Sequence, residues 1–445
     1  MKDSIIEKLK GKHIAILGFG KEGQSTFQFI LDNLPNNKVT IIDKNDVSSS
    51  IVPNENVNVV YGDNYLDNLA QYDLIFKTPG ISFVDVDTSG FKDKITSQME
   101  LFLEYNRKNV IGITGTKGKS TTSSLICSIL KENGVDVVLA GNIGVPVFDF
   151  LDEKYNKTTF VLEMSSHQLE FLKCSPHIAL VLNLFQDHLD HAGSVSAYFN
   201  AKMNIFAFQD ETDYMVYFAD NDNLTSIISS ANFLAEKYAV SIHDQGDIYL
   251  KDGIVYSNNE EVFSYDIPRN LLGDHNFINI MFAYKVSESV GLNKEKTLNA
   301  ISSFKPLKYR MEMIGEVNSV KYYVDTLATI PEATLETINS LPNIETLIFG
   351  GMDRGISYDN FAKRLMSSQV KNFICMPETG HKIGKELFGV HTYFVDTIEE
   401  AVAKAKEVTT PGMGCVLSPA AASYSHFKNY QDKAERYKEL VLKDK

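Results

Sequence analysis

Lysines and hydroxyls follow closely spaced glycines in Val110-Ile111-Gly112-Ile113-Thr114-Gly115-Thr116-Lys117-Gly118-Lys119-Ser120-Thr121-Thr122. An ammonium, hydroxyls and a glycine-rich turn in this order are suited to a polyphosphate. Backbone N–H groups of the turn and of a following helix N-terminus form a nest for phosphate oxygens. Lys119 adds a positive charge, and the Ser120 hydroxyl can ligate Mg²⁺. The expectation is a nucleoside triphosphate site made by Gly115, Thr116, Lys117, Gly118, Lys119, Ser120 and Thr121. The spacing departs from the usual phosphate loop, which has about four residues between its first glycine and the glycine before lysine. Here Gly115 leaves two and Gly112 leaves five.

Further polar residues stand at the ends of apolar runs. Phe160-Val161-Leu162 leads into Glu163-Met164-Ser165-Ser166, and a carboxylate at a strand end beside a phosphate loop is placed to hold Mg²⁺. Ile178 to Leu182 leads into Asn183 and then Asp187-His188-Leu189-Asp190-His191. That cluster reads as a metal site of hydrolase type, as a polar loop, or as pocket lining with Asp187 and His188 between phosphates and acceptor. Tyr198 and Lys202 share one helical face. Lys202 is ordinarily a solvated lysine; carbamylated in a Mg²⁺ site, it becomes an anionic ligand. Near the start, Gly18-Phe19-Gly20-Lys21-Glu22-Gly23 is a G-x-G-x-x-G turn, with Asp43 closing the next strand 25 residues after Gly18. This turn accepts NAD or other diphosphates, UDP-sugars among them. Lys77-Thr78-Pro79-Gly80 ends another strand, where open α/β sheets bind ligands.

These residues need scaffolds, and the pattern supplies three α/β units. Strands are expected at 13–17, 39–42, 57–61 and 74–76 in the first, with a helix from Ser25 to Leu34. The second holds the phosphate loop, whose helix carries the stripe Leu125, Ile126, Ile129, Leu130 and stops at Asn133-Gly134. The third has strands at 321–324, 346–349, 373–376, 392–395 and 415–417, with helices from Ile398 to Val408 and from Phe427 to Leu442. A length of 445 residues suits about three domains of roughly 150 residues. The fold class is α/β in three consecutive domains: a Rossmann-like domain over 1–104, a P-loop-type ATPase domain over 105–305 and a Rossmann-like domain over 306–445.

Composition narrows the partners. A net charge of −14 argues against nucleic acid as the main partner. Cys127, Cys174, Cys375 and Cys415 lack paired zinc spacing and fit free thiols of the cytoplasm. No signal peptide is seen, and no run approaches the ~18 apolar residues of a membrane span. A monomer is expected.

The ordered set of motifs resembles the Mur ligase family, and most closely its glutamate-adding branch. It comprises Gly18 to Gly23, Thr78 to Ile81, Thr114 to Thr121, Gly141-Asn142-Ile143-Gly144, Glu163 to Ser166, Asn183 with Asp187-His188, and Tyr198 with Lys202. It continues through Gly273 to Asn279, Arg310-Met311-Glu312, Asp325 to Thr329, Gly350 to Arg354 and Ser418 to Ser423. The resemblance implies ATP-dependent joining of D-glutamate to UDP-N-acetylmuramoyl-L-alanine through an acyl phosphate, in peptidoglycan precursor synthesis. It implies Lys119, Glu163, His188 and Lys202 as catalytic residues, and Asn276, Arg310 and Asp325 as further ATP contacts. Two Mg²⁺ ions are implied, one at Ser120 and Glu163, one at His188 and carbamylated Lys202. Gly20, Lys21, Glu22, Asp43, Lys44, Thr78, Gly80, Asn142 and Ser165 would meet the UDP substrate. Thr329, Arg354, Ser423 and Tyr430 would meet glutamate, with the domains closing over the reactants. Two departures bear on the added amino acid. Leu327 and Ile330 replace the lysine and asparagine of a family Asp-Ser-Lys-Ala-Thr-Asn, and Lys308-Tyr309 replaces Pro-His before Arg310. A branch adding L-glutamate and a non-catalytic nucleotide-binding homologue are the alternatives. A folylpolyglutamate synthase is disfavoured by the UDP-type first unit, and an NAD oxidoreductase rests on the first glycine motif alone.

Overall fold

The computed structural model describes residues 1–52, 54–186, 193–243, 245–353, 358–423 and 427–443. Among them, strands form three sheets. The first contains β1 (Ile14–Leu17), β2 (Val39–Asp43), β3 (Val57–Tyr61), β4 (Leu74–Lys77) and β5 (Ile95–Thr96). All are parallel in the order β3-β2-β1-β4-β5. The order reverses between β1 and β4, so the turns after Leu17 and Lys77 flank a topological switch point, where sheets of this kind take ligands. β1 and β4 are buried along their whole length, hence the apolar runs Ile14–Leu17 and Leu74-Ile75-Phe76.

The second sheet contains β6 (Val110–Thr114), β7 (Val137–Gly141), β8 (Thr159–Glu163), β9 (Ile178–Val181), β10 (Tyr214–Phe218), β11 (Glu236–Ser241), β12 (Ile248–Lys251), β13 (Ile254–Ser257) and β14 (Glu260–Ser264). Its order is β14-β13-β12-β11-β10-β9-β6-β8-β7, with β6 to β12 parallel and β13 and β14 an antiparallel edge ribbon. β6 thus lies between β8 and β9. The phosphate loop, the end of β8 and the segment after β9 therefore emerge side by side.

The third sheet contains β15 (Glu312–Val317), β16 (Val320–Val324), β17 (Ile344–Gly351), β18 (Asn372–Glu378), β19 (His391–Phe394) and β20 (Gly414–Leu417). Its order is β15-β16-β20-β17-β18-β19, parallel except for the edge strand β15.

The chain divides into two compact units, Met1–Pro268 with His275–Ser303, and Arg269–Asp274 with Phe304–Lys445. In the first unit the two sheets share a core: Phe148 packs against Phe29 at 4.9 Å and Phe76 at 6.2 Å between ring centroids, and Phe102 packs against Phe160 at 4.9 Å. In the second, separate apolar clusters fill the two sides of one sheet.

Two helix starts differ from expectation. The first begins at Lys21, not Ser25, because Gly20 serves as its N-cap and the glycine motif itself forms the opening turn. The last begins at Tyr430, not Phe427, where the Asn429 side chain accepts a hydrogen bond from the Asp432 N–H.

Candidate active site

The phosphate loop joins β6 to the helix Lys119–Glu132. Gly118 is the N-cap at φ +87°, and an added Cβ would sit 2.7 Å from Asn279 Oδ1. Asn183, just after β9, staples the loop: its carbonyl accepts the Thr116 N–H at 3.0 Å, its Oδ1 the Lys117 N–H at 2.8 Å, and its Nδ2 donates to the Lys117 carbonyl at 3.1 Å. The Thr116 hydroxyl accepts the Phe185 N–H at 3.0 Å and the Tyr198 hydroxyl at 3.3 Å. Lys119 lies across the loop, its Nζ donating to the carbonyls of Gly115 at 2.9 Å and Thr116 at 3.1 Å. A helix N-terminus leaves its first-turn N–H groups without partners inside the helix, so a fixed loop, an ammonium and the positive end of a helix converge, an arrangement suited to an anion.

Lys202 does not behave as a solvated lysine. It is 1% exposed on the helix Val195–Ala207, and its Nζ donates to the Gly115 carbonyl at 3.0 Å while lying 4.8 Å from the centre of the Tyr198 ring. The shared face of Tyr198 and Lys202 therefore packs on the phosphate loop. Asn276 and Asn279, both buried, are bonded to each other at 3.2 Å, Asn279 Nδ2 donating to Asn276 Oδ1. They bring the helix Asp274–Ser289 to the same loop.

Glu163 ends β8 fully buried. Its Oε1 accepts from Asn142 Nδ2 at 2.7 Å, and its backbone carbonyl accepts the Asn142 N–H at 2.8 Å. Its Oε2 is buried and meets no donor among the described residues. A buried carboxylate oxygen of this kind calls for a cation or a proton. Ser165 caps the short helix after it through a reciprocal capping box with Gln168. The cluster Asp187 to His191, with His188, lies outside the described residues.

At the first sheet, Asp43 accepts backbone N–H groups with both oxygens, from Phe19 and from Asn45, each at 2.9 Å. The carboxylate at the ribose-like spacing thus holds the glycine turn. Lys21, Lys44, Gly20 and Gly80 are exposed at the switch point, while Thr78 is buried with its hydroxyl donating to the Leu17 carbonyl at 2.7 Å. Glu22 is half-buried beside Gln168 and Lys77. Burial raises its carboxyl to about 7, against the opposing effects of a Gln168 hydrogen bond and the Lys77 charge. Lys77 pairs with Glu170 at 3.1 Å, and burial lowers its pKa. This polar cluster ties the first sheet's ligand turns to the capping segment after β8.

The second unit holds the remaining candidates. Asp325, at the end of β16, is buried; it accepts from the Thr337 hydroxyl, and its N–H donates to Leu417 at 2.8 Å. Thr329 is partly buried before the helix Pro331–Ser340. Arg310 sits between Tyr309 and Met311, both with positive φ, and its Nε is buried without a hydrogen-bond partner among the described residues. Tyr430 meets Tyr309 edge to face at 6.1 Å. The Ser423 hydroxyl is buried and unpartnered among the described residues. Arg354 lies outside the described residues. Lys433 is 1% exposed; burial lowers its ammonium to about 7, and its Nζ donates to the Gly350 carbonyl at 2.9 Å. Asn183, Asn279, Gln168 and Lys433 were absent from the expected site residues. Asn183, a polar residue at a strand end beside the loop, and Asn279, which closes the Gly273 to Asn279 motif, carried a signal; Gln168 and Lys433 did not.

A parallel sheet with a stapled phosphate loop and a buried carboxylate on the neighbouring strand defines a nucleotide-dependent α/β protein. The model of the Mur ligase middle domain matches residues 113–287, and that of the Mur ligase glutamate ligase domain matches 309–421. UDP-N-acetylmuramoylalanine–D-glutamate ligase of Clostridium acetobutylicum is 32% identical over 99% of this chain and 98% of its own. That of Clostridium botulinum strain Okra is 34% identical over 97% of each. Two solved structures share the fold: MurC of Thermotoga maritima, at TM-score 0.62 and 20% identity over 98% of this chain and 100% of its own, and MurF of the same organism in complex with ADP, at TM-score 0.60 and 17% identity over 99% and 96%. The chain belongs to the Mur ligase family.

Proposed function

We propose that this protein joins D-glutamate to UDP-N-acetylmuramoyl-L-alanine at the expense of ATP, a step of peptidoglycan precursor synthesis. The observation that carries the reading is end-to-end similarity to ligases of that name, 32% and 34% identical across nearly the whole of both chains. The phosphate loop and Glu163 supply the matching chemistry.

A carboxylate resists amine attack because its leaving group would be oxide. The substrate carboxylate oxygen attacks the γ-phosphorus and ADP departs, leaving an acyl phosphate. The amine of glutamate attacks the acyl carbon, and the tetrahedral adduct loses a proton and expels phosphate to give the amide. Anions must approach one another, so positive charge and N–H donors have to be in place beforehand. Lys119 and the loop N–H groups serve the phosphates, with Asn276, Arg310 and Asp325 as further nucleotide contacts. Glu163 and Ser120 would hold Mg²⁺, and the orphaned Oε2 fits that role; the ion would screen the transferring phosphoryl group. Carbamylated Lys202 and His188 would hold a second ion; as the free amine, Lys202 donates to the Gly115 carbonyl.

Gly20, Lys21, Glu22, Asp43, Lys44, Thr78 and Gly80 would receive the uridine diphosphate. Asn142 and Ser165 would orient the acceptor. Thr329, Arg354, Ser423 and Tyr430 would bind glutamate, and the unpartnered Ser423 hydroxyl supports that assignment. The protein would act as a cytoplasmic monomer of three divisions, 1–104, 105–305 and 306–445. Among the described residues no helix is long and apolar enough to cross a membrane.

The lost lysine at Leu327 favours testing a second substrate, L-glutamate. The decisive assay follows ADP and phosphate release with UDP-N-acetylmuramoyl-L-alanine and each glutamate enantiomer, using ¹⁸O-labelled acceptor carboxylate. Release is expected only with all three substrates, with D-glutamate preferred and label entering phosphate. Preference for L-glutamate would overturn the stereochemistry, and unlabelled phosphate the acyl-phosphate route.

A further inference from the structure

Lys433 has no place in the chemistry above, yet the fold buries it completely. It lies one turn into the helix Tyr430–Leu442, and among the described residues its Nζ meets the Gly350 carbonyl at 2.9 Å and the Phe427 ring at 5.7 Å from its centre. No carboxylate pairs with it in the salt bridges of the described residues. Burying an ammonium on a neutral acceptor is costly, and an apolar side chain of similar length would fill the space with less penalty. Lys433 therefore needs a reason beyond packing.

Gly350 provides one. It sits at φ +120°, and an added Cβ would lie 2.7 Å from the Met376 carbonyl oxygen and 2.9 Å from Gly380 Cα. The pairing of β17 with β18 shifts register between Phe349 and Gly351, so the regular ladder breaks at this residue. Its N–H donates to the Pro419 carbonyl at 2.9 Å, and its carbonyl is taken by Lys433. Two residues on, the Met352 N–H donates to the Ala422 carbonyl at 2.9 Å, pairing the end of β17 with the strand-end segment that carries Ser423. Turning the Gly350 peptide would disturb that pairing and, with it, the setting of the unpartnered Ser423 hydroxyl.

We propose that Lys433 is a positioning residue for the amino-acid pocket: by holding the Gly350 carbonyl, it fixes the end of β17 against the Ala422-Ser423 segment. The inference rests on the reading that Ser423 meets the glutamate substrate. Its signature is selective, because the phosphate loop belongs to the other compact unit and shares none of these bonds.

The test is steady-state kinetics on the full chain. Lys433→Met should raise KM for glutamate at least tenfold while KM for ATP stays within twofold, and Lys433→Arg, which keeps a donor, should bring KM for glutamate back to within about threefold of wild type. If the methionine variant does not fold, Lys433→Gln, a neutral donor, is compared with Lys433→Leu by the same split. Unchanged KM for glutamate in a folded methionine or leucine variant overturns the proposal, as does an equal rise in both KM values. Failure of the wild-type protein to use glutamate at all would instead overturn the functional reading.

Discussion

Gly118→Ala probes how tightly the phosphate loop is fixed. Gly118 has φ +87°, where an L side chain costs roughly 1–2 kcal/mol of backbone strain. Its new methyl would lie 2.7 Å from Asn279 Oδ1 and 3.2 Å from Leu182 Cδ1. Asn279 is buried and donates to Asn276 at 3.2 Å, so its retreat sacrifices a hydrogen bond worth about 1 kcal/mol. The sum is roughly 2–3 kcal/mol. Without nucleotide the loop can relax away from the clash, and binding must then restore the strained form, so the cost falls mainly on affinity. ATP binding measured by calorimetry should weaken roughly 30- to 160-fold, with only a small fall in melting temperature. Gly118→Ala combined with Asn279→Ala removes the clash and keeps the backbone strain. The double-mutant cycle should therefore return about fivefold of the affinity, the equivalent of about 1 kcal/mol. ATP affinity within threefold of wild type in Gly118→Ala would refute the claim that this glycine and the Asn276-Asn279 pair shape the loop.

Two further perturbations separate charge from packing. Glu163→Gln keeps an oxygen for Asn142 and removes the charge at Oε2. The protein should stay folded, while kcat/KM falls roughly 30- to 900-fold, the worth of about 2–4 kcal/mol of lost charge interaction with a cation, and half-saturation by Mg²⁺ rises. Retention of more than a tenth of wild-type kcat/KM at unchanged Mg²⁺ dependence would remove Glu163 from the metal site. Glu22, raised from 4.5 to about 7, binds more protons folded than unfolded between those values. Wild-type stability should therefore fall as pH rises from 4.5 to about 7, by at most about 3 kcal/mol. Glu22→Gln should melt like wild type at pH 4 and be the more stable protein at pH 8; parallel melting profiles across that range would contradict the burial argument.

The strands around the site were legible because both of their faces are buried. β1, β4, β6 and β9 are short apolar runs ending at polar or glycine turns, and the first two sheets' ligand loops follow directly from them. The strands β12 to β14 at the sheet's edge were not expected. Their residues are mixed in polarity, and their turns at Asp252-Gly253 and Asn258-Asn259 rely on positive φ more than on apolar alternation. Spacing placed Asp43 and Glu22 near a ligand turn but could not show their protein partners: Asp43 accepts backbone N–H groups, and Glu22 lies beside Gln168 and Lys77.

The lysines show the deeper reason that part of the site stays hidden. Lys119 is readable because its neighbours in the chain announce its ligand. Lys202 and Lys433 instead donate to carbonyls of Gly115 and Gly350, 87 and 83 positions earlier. A backbone carbonyl leaves no residue-type signature, so a lysine that serves one looks in sequence like any helix-surface charge. Its partner leaves only an indirect trace, a glycine whose conformation frees the peptide from the regular ladder. The family motif names the residues proposed to touch the reactants; the fold must also hold the peptide planes between them, and Gly350 with Lys433 is where this chain assigns a buried charge to that task.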